Sequence, residues 1–300
     1  MQHIPIPNHI HKTNSPIDGN TKIFALIGKD LSYSLSFQLH NTAFQHFHYN
    51  AMYIPLEFNK NPLSFFHSLC DNDQTNIQGC NITTPYKSTL LEENSSVILS
   101  KEVQQTGSMN TLIQENHRWI ARNSDIEGFV QSVSHLDFQN KDILILGAGG
   151  VTKSVLYALR HMMNLSPNQD IYIYNRTTSK AKALANIYDL HWIQNLHHWP
   201  HKSNSVIINC TSQGQGIQKS LMAFDDPRSF TEDHIVIDLV YHRTPLLKKA
   251  HQDKAITCNG LSMLIWQAAL SFSWWTNTDV QACRDIMHAS LSNHSLTFDV

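Results

Sequence analysis

The chain has no excess of charge of either sign. Its 22 basic and 24 acidic side chains leave a formal net charge of −2 over 300 residues. That excludes the electrostatic footprint of a nucleic-acid binder or of a protein held on an anionic membrane. There is no C-x-x-C pair either. Five cysteines stand at 70, 80, 210, 258 and 283, an odd number without metal-ligand spacing. Free thiols in a reducing, cytoplasmic compartment are expected. No secretory apolar stretch opens the sequence. The most apolar run, 261–275, is interrupted by Ser262, Gln267, Ser271 and Ser273, and is too short and polar for a membrane span. Internal repeats and low-complexity tracts are absent. The 19 histidines make net charge rise as pH falls, yet they show no metal-ligand spacing. His197, His198 and His201 read as a solvated loop around Pro200, and no metal is expected.

What the chain does contain is a buried strand that runs into a glycine turn. Residues 143–146 are all apolar and read as a parallel strand; Gly147, Ala148, Gly149, Gly150 and Val151 follow. Residues 152–163 continue as a helix, with Val151, Val155, Leu159 and Met162 on one face. A strand, a glycine turn and a helix N-terminus together suit a pyrophosphate. The third glycine of the usual fingerprint is missing, and Thr152 stands there. The next strand, 171–174, ends without the carboxylate that would bind the ribose 2′-hydroxyl of NAD. Asn175, Arg176, Thr177 and, a turn later, Lys180 take that place. These donors suit a 2′-phosphate, so the cofactor reads as NADP.

Hydrophobic residues make up 41% of the chain, enough for a real core in one large or two ordinary domains. Pro5, Pro7, Pro16 and Gly19 mark residues 1–21 as a poorly ordered leader. Strands are expected at 22–27, 51–56, 77–82, 205–209 and 235–239. Helices are expected at 36–47, 62–70, 261–275 and 280–290, with a helix–strand segment over 88–122. The fold class is α/β, with two α/β domains across a cleft, the second a Rossmann-type dinucleotide-binding domain. Residues 22–124 plus 260–300 read as the substrate-binding and catalytic domain, and 125–259 as the NADP domain.

Three polar clusters in the first half follow strand-like runs, where open α/β sheets place ligands. From residue 23 to 276 the chain resembles the shikimate dehydrogenase family. Ser34-Leu35-Ser36 resembles its Ser-x-Ser motif, and the segment from Gly79 to Lys87 its Gly-x-Asn-Val-Thr-x-Pro-x-Lys motif. Asn110-Thr111 resembles a Val-Asn-Thr motif and Asn123-Ser124-Asp125 an Asn-Thr-Asp motif. Residues 147–151 and 175–177 are similar to its NADP site, and 208–212 to its Asn-Ala-Thr-Ser segment. The run Asp238-Leu239-Val240-Tyr241 also fits, as do Gly260, Met263, Leu264, Gln267 and Ala268 in the final helix.

The resemblance implies NADPH-dependent reduction of 3-dehydroshikimate to shikimate, in chorismate and aromatic amino-acid biosynthesis. Ketone reduction needs a hydride at carbon, a proton for the developing alkoxide and a cation beside it. Lys87 can supply the last two, with Asp125 as its partner; these are the expected catalytic residues. Ser34, Ser36, Thr83 and Tyr241 suit the substrate carboxylate. Asn81, Asn110, Asp125 and Gln267 suit its ring hydroxyls. Cofactor contacts are expected from Gly147, Ala148, Gly149, Gly150, Val151, Asn175, Arg176, Thr177, Lys180, Leu239 and Gly260. Plainer roles compete: a helix cap for Asp125, Ser34 and Ser36, a satisfied buried amide for Gln267, and core packing for Tyr241.

Several positions depart from the family pattern. Phe37 follows the Ser-x-Ser motif in place of proline, Asp30 replaces another proline, and Ser124 replaces threonine. His242-Arg243 runs straight into Thr244-Pro245, which shortens a loop beside the cofactor. Two rival readings stay open: a quinate/shikimate-type dehydrogenase, and a catalytically silent paralogue that binds a ligand. The expected partners are a small-molecule substrate and no nucleic acid or membrane, in a monomer or homodimer.

Overall fold

The computed structural model describes residues 17–71, 76–91, 97–166, 168–200, 204–212, 229–241 and 243–291. The first half starts with β1 (Lys22–Gly28), whose centre is buried, followed by α1 (Ser36–His46), β2 (Ala51–Glu57) and α2 (Leu63–Asp71). Next come β3 (Ile77–Ile82), β4 (Val97–Leu99), α3 (Lys101–Thr106), β5 (Thr111–Glu115), β6 (Arg118–Arg122) and α4 (Ser124–Ser132). The six strands form one sheet in the order β2-β1-β3-β5-β6-β4. Pairing is parallel except at β5, which is antiparallel to β3 and β6.

The β5–β6 hairpin is finer than the helix–strand segment expected over 88–122. Its two-residue turn, Asn116-His117, has φ values of 50° and 59°. Positive φ at both positions matches the twist of the strands. No glycine announces that turn.

The second half runs β7 (Ile143–Leu146), α5 (Gly150–His161), β8 (Ile171–Tyr174), α6 (Thr178–Tyr188) and β9 (His191–Trp192). It continues with β10 (Val206–Asn209), β11 (Ile235–Asp238), α7 (Pro245–Gln252) and β12 (Ile256–Asn259). All six strands are parallel, in the order β12-β11-β10-β7-β8-β9. The order reverses between β7 and β10, which opens a crevice at their carboxyl ends. β7, β10 and β11 are buried along their whole length, as expected of apolar runs covered on both faces. α5 begins at Gly150, two residues before the expected start. Val155 and Leu159 are buried on its inner face, but Met162 is about half exposed because the helix has ended at His161.

The chain then returns to the first sheet. α8 (Leu261–Thr276) and α9 (Val280–Ser290) pack on α1. Leu261, Ile265, Phe272, Cys283 and Met287 share one core with Phe24, Leu39 and Phe44. Burying each large apolar side chain there contributes roughly 1.5–3 kcal/mol. Of the expected leader, residues 1–16 lie outside the described residues. Its end is more ordered than expected: Asp18 accepts from Asn50 Nδ2 at 3.0 Å, and Thr21 Oγ1 donates to Asn50 Oδ1 at 2.8 Å. His197 and His198 form a single helical turn, and His201 lies outside the described residues.

Candidate active site

The carboxyl ends of β1 and β3 in one sheet, and of β7, β8, β10 and β11 in the other, face a shared cleft of about 1260 Å³. Every residue assigned above to catalysis, substrate or cofactor, from Ser34 to Gln267, lines this cleft. Lys29, Tyr33, Thr211 and Met263, which stand in the motif-bearing segments but carry no expected site role, also line it.

Lys87 sits in the loop after β3. Tyr86 anchors that loop by donating its hydroxyl to Phe58 O at 2.8 Å, and Lys87 O accepts from Met109 N at 2.8 Å. The Thr84–Pro85 peptide is cis. Lys87 Nζ donates to Asp125 Oδ2 at 2.6 Å, and only 17% of the lysine side chain is exposed. Asp125 is the second residue of α4. The cap of that helix is Asn123, whose Oδ1 accepts from Asp125 N at 3.2 Å. The carboxylate is therefore free of capping duty and faces the lysine.

Asn110 holds the other carboxylate oxygen. Its Nδ2 donates to Asp125 Oδ1 and to Ser124 Oγ, both at 2.9 Å. Its Oδ1 accepts from Ser124 N at 2.7 Å. Both amide protons are thus used within the protein. Asn81 Oδ1 accepts from Tyr53 OH at 2.8 Å, and its Nδ2 donates to Asn110 O and Thr111 Oγ1, each at 3.1 Å. The two amides expected at ring hydroxyls are first of all the brace behind Asp125. Tyr53, which completes that brace through its bond to Asn81, carries no signal in the sequence beyond its place in a strand.

At the cleft wall, Ser34 Oγ accepts from Ser36 N at 3.3 Å, a local turn bond that makes no true cap of α1. Ser36 is buried and Ser34 half-buried. Gln267 Nε2 donates to Leu264 O at 2.8 Å, and the residue lines the cleft. Tyr241 OH reaches Tyr33 O at 3.4 Å. Burial raises the Tyr241 hydroxyl and pushes the Cys210 thiol up to about 12, so both stay neutral in the cleft.

On the opposite wall, Gly147 has φ of +107°, and a Cβ there would meet Thr211 Cγ2 at 3.0 Å. Only glycine makes this turn without strain. Thr152, in the place of the third glycine, accepts from Gly149 N at 3.1 Å. The first turn of α5 holds no acidic residue, and its leading N–H groups have no helical partner. These features fit an anionic pyrophosphate. Arg176, Thr177 and Lys180 are exposed at the edge of the cleft, and no carboxylate among the described residues pairs with either cation. They fit a 2′-phosphate. Gly260 lies against Leu239, where an added Cβ would come 2.0 Å from Leu239 O. The two walls meet at Gly150, where a Cβ would be 3.5 Å from Lys87 Cβ.

Three family profiles match this chain in order. The shikimate dehydrogenase substrate binding domain covers residues 26–112, shikimate / quinate 5-dehydrogenase 130–244, and the shikimate 5′-dehydrogenase C-terminal domain 260–291. The shikimate dehydrogenase (NADP(+)) of Carboxydothermus hydrogenoformans is 33% identical over 270 residues, spanning 87% of this chain and 93% of its own. The chain belongs to the shikimate dehydrogenase family. The Pyrococcus furiosus shikimate dehydrogenase (NADP(+)) is 32% identical over 292 residues, covering 92% of this chain and 98% of its own. The crystal structure of the Aquifex aeolicus shikimate dehydrogenase superposes with a TM-score of 0.81 at 29% identity, over 93% of this chain and all of that one (100%). The Thermus thermophilus shikimate 5-dehydrogenase, solved in complex with NADP(H) and shikimate, gives a TM-score of 0.73 at 26% identity, over 90% of this chain and 100% of its own.

The departures from the shikimate dehydrogenase pattern have local physical accounts. Asp30 adopts φ of 54°, a conformation closed to proline. Phe37 packs its ring 5.7 Å from Tyr53 and joins the core shared with α8 and α9. The short 242–245 loop brings Thr244 back to Asp238, with Thr244 Oγ1 donating to Asp238 Oδ2 at 2.7 Å while accepting from Leu247 N to cap α7. Asp238 is fully buried. Burial raises its carboxyl, and bonds from Thr244, Val240 and Asn209 work against that rise. His242 lies outside the described residues.

Proposed function

We propose that the protein is an NADP-dependent shikimate dehydrogenase that reversibly reduces 3-dehydroshikimate to shikimate. The observation that carries this reading is the 2.6 Å Lys87–Asp125 contact beside the N-terminus of α5. NADPH, when bound, supplies the hydride to the carbonyl carbon. Lys87 stabilises the developing alkoxide by charge and gives it a proton; Asp125 orients the ammonium. In the reverse direction Lys87 accepts the hydroxyl proton. Ser34, Ser36, Thr83 and Tyr241 hold the substrate carboxylate; Asp125 and Gln267 order its hydroxyls, and Asn81 and Asn110 border them while holding Asp125 from behind. A site that pairs hydroxyls discriminates strongly against analogues lacking them.

The division of labour follows the sheets: residues 22–124 plus 260–300 bind substrate and carry the catalytic pair, and 125–259 bind NADP. Gly147 to Val151 would hold the pyrophosphate, Asn175, Arg176, Thr177 and Lys180 the 2′-phosphate, and Leu239 and Gly260 would border the nicotinamide end. All five cysteines are free, which supports a reducing cytoplasmic setting, for a monomer or homodimer. No helix among the described residues is long and apolar enough to cross a membrane.

The test is the NADP-dependent absorbance change of purified protein with shikimate, then with quinate. Turnover of shikimate well above quinate supports the proposal. Preference for quinate replaces the substrate, and silence with both removes the enzymatic reading.

A further inference from the structure

Ser271 lies in α8, one turn after Gln267, and is fully buried. A serine inside a helix commonly donates to the carbonyl four residues back, and Ser271 Oγ donates to Gln267 O at 2.9 Å. That bond alone would make it an ordinary core residue. Its oxygen also stands 2.9 Å from Thr111 Oγ1, 3.2 Å from Ser124 Oγ and 3.0 Å from Asn81 Nδ2. These partners come from β5, α4 and β3. Thr111 and Ser124 are 3.4 Å apart, so three buried hydroxyls close a triangle.

The triangle stands directly behind Asn110. Thr111 Oγ1 donates its single proton to Asn110 Oδ1 at 2.9 Å, and Ser124 Oγ accepts from Asn110 Nδ2. Each hydroxyl has one proton to give. With its own proton on Asn110, the Thr111 oxygen is left to accept, and Ser271 shares its one proton between Gln267 O and Thr111 Oγ1 while accepting from Asn81 Nδ2. The backbone N–H of Ser124, an obligate donor to Asn110 Oδ1, sets the Asn110 amide with Nδ2 toward Asp125, and the hydroxyls behind it hold that amide in place. The flipped amide would set its carbonyl oxygen against the carboxylate.

We infer that Ser271 is a positioning residue for the Lys87–Asp125 pair. Its hydroxyl holds the Asn81 amide directly and, through Thr111 and Ser124, backs the Asn110 amide, which in turn holds the carboxylate facing Lys87. This rests on the reading of that pair as catalytic. The last long helix is thereby joined to the proton-transfer pair as well as to the substrate pocket through Gln267.

Two variants of the full chain test it. Ser271→Ala removes the oxygen, and Ser271→Cys fills the place with a slightly larger and much weaker hydrogen-bonding atom. With shikimate and NADP⁺, both are expected to lose kcat by about 10-fold, the scale of one or two net hydrogen bonds, with less than about a 2-fold change in KM for NADP⁺. A second readout needs no turnover: NMR exchange of side-chain amide protons. Asn81 and Asn110 are expected to exchange at least about 10-fold faster in both variants. Gln169, whose buried Nε2 donates to Phe138 O at 2.7 Å in the other half, stays unchanged as the control. Wild-type kcat and exchange in Ser271→Ala overturn the inference, and so does Ser271→Cys behaving like wild type, which would assign the site to packing. If the wild-type protein turns over no shikimate, the proposed function fails, and amide exchange still decides the positioning role.

Discussion

Gly128 in α4 packs against Gln267 in α8 so closely that a Cβ on the glycine would lie 3.0 Å from both the Cβ and the backbone nitrogen of Gln267. The contact sets how far Gln267 projects into the cleft. Gly128→Ala gains up to about 1 kcal/mol of helix propensity. Crowding a packed site costs about 1–3 kcal/mol. We expect a net loss of about 1 kcal/mol in urea unfolding and a raised KM for shikimate, with kcat less affected. An unchanged KM would show that Gln267 does not touch the substrate.

Lys87→Ala should lower kcat by at least about 100-fold, the scale of a lost acid–base group, with a much smaller effect on substrate binding. Asp125→Asn keeps the shape and removes the charge facing Lys87. A large fall in kcat and an altered pH–rate profile are expected. Stopped-flow and steady-state kinetics across pH give both readings. Full activity with the wild-type pH profile would reduce Asp125 to a structural residue.

Ser34 and Ser36 already share a weak local bond. Each alanine variant should mainly raise KM for shikimate, by the equivalent of about 1–2 kcal/mol for a lost bond to a carboxylate. Normal binding with a lowered melting temperature would favour the turn alone.

Arg176→Ala should remove most of the preference for NADP over NAD and leave the KM for NAD nearly unchanged, because only NADP carries the 2′-phosphate. The measurement is KM for both cofactors in both proteins. Equal losses for the two would exclude a phosphate clamp at Arg176.

His40 is completely buried with both ring nitrogens unpartnered, stacked 4.3 Å from Tyr53 and tilted against Trp275 at 5.1 Å. Burial, only partly opposed by the nearby Asn81, lowers the imidazole to about 3. The unfolded chain takes up that proton near its ordinary value, so the folded state loses stability as pH falls from about 6.5, by up to about 1.4 kcal/mol per pH unit. Its contribution is fully present above that value. His40→Phe should flatten the dependence of unfolding free energy between pH 7.5 and about pH 5. A profile as steep as wild type would place the acid sensitivity elsewhere.

What could be read without coordinates was what is local. The apolar runs at β7, β10 and β11, the glycine turn after β7 and the Gly79–Lys87 motif each announce themselves within a few residues. The sequence does not separate Asn123 from Asp125 as the cap of α4, because both types fit and only backbone geometry decides. Asn116-His117 conceals a hairpin because neither residue is the glycine that such turns favour. Ser271 sits in an apolar helix, and its significance arises from three strands and helices far away in the chain. The engagement of Asn81 and Asn110 with one another is likewise a tertiary fact: a motif names an amide and leaves its partners unstated.

The return of α8 and α9 to the first sheet has a consequence for how the polypeptide matures. Synthesis proceeds from the N-terminus, and domains generally fold as they emerge. β1 and α1 are made early, yet Phe24, Leu39 and Phe44 share their core with Leu261, Phe272 and Met287. The nucleotide half, uninterrupted in the chain, can close while translation continues. The half that was begun first is completed last, and a nascent chain stopped before α8 presents an unfinished apolar face to chaperones however well its Rossmann sheet has formed.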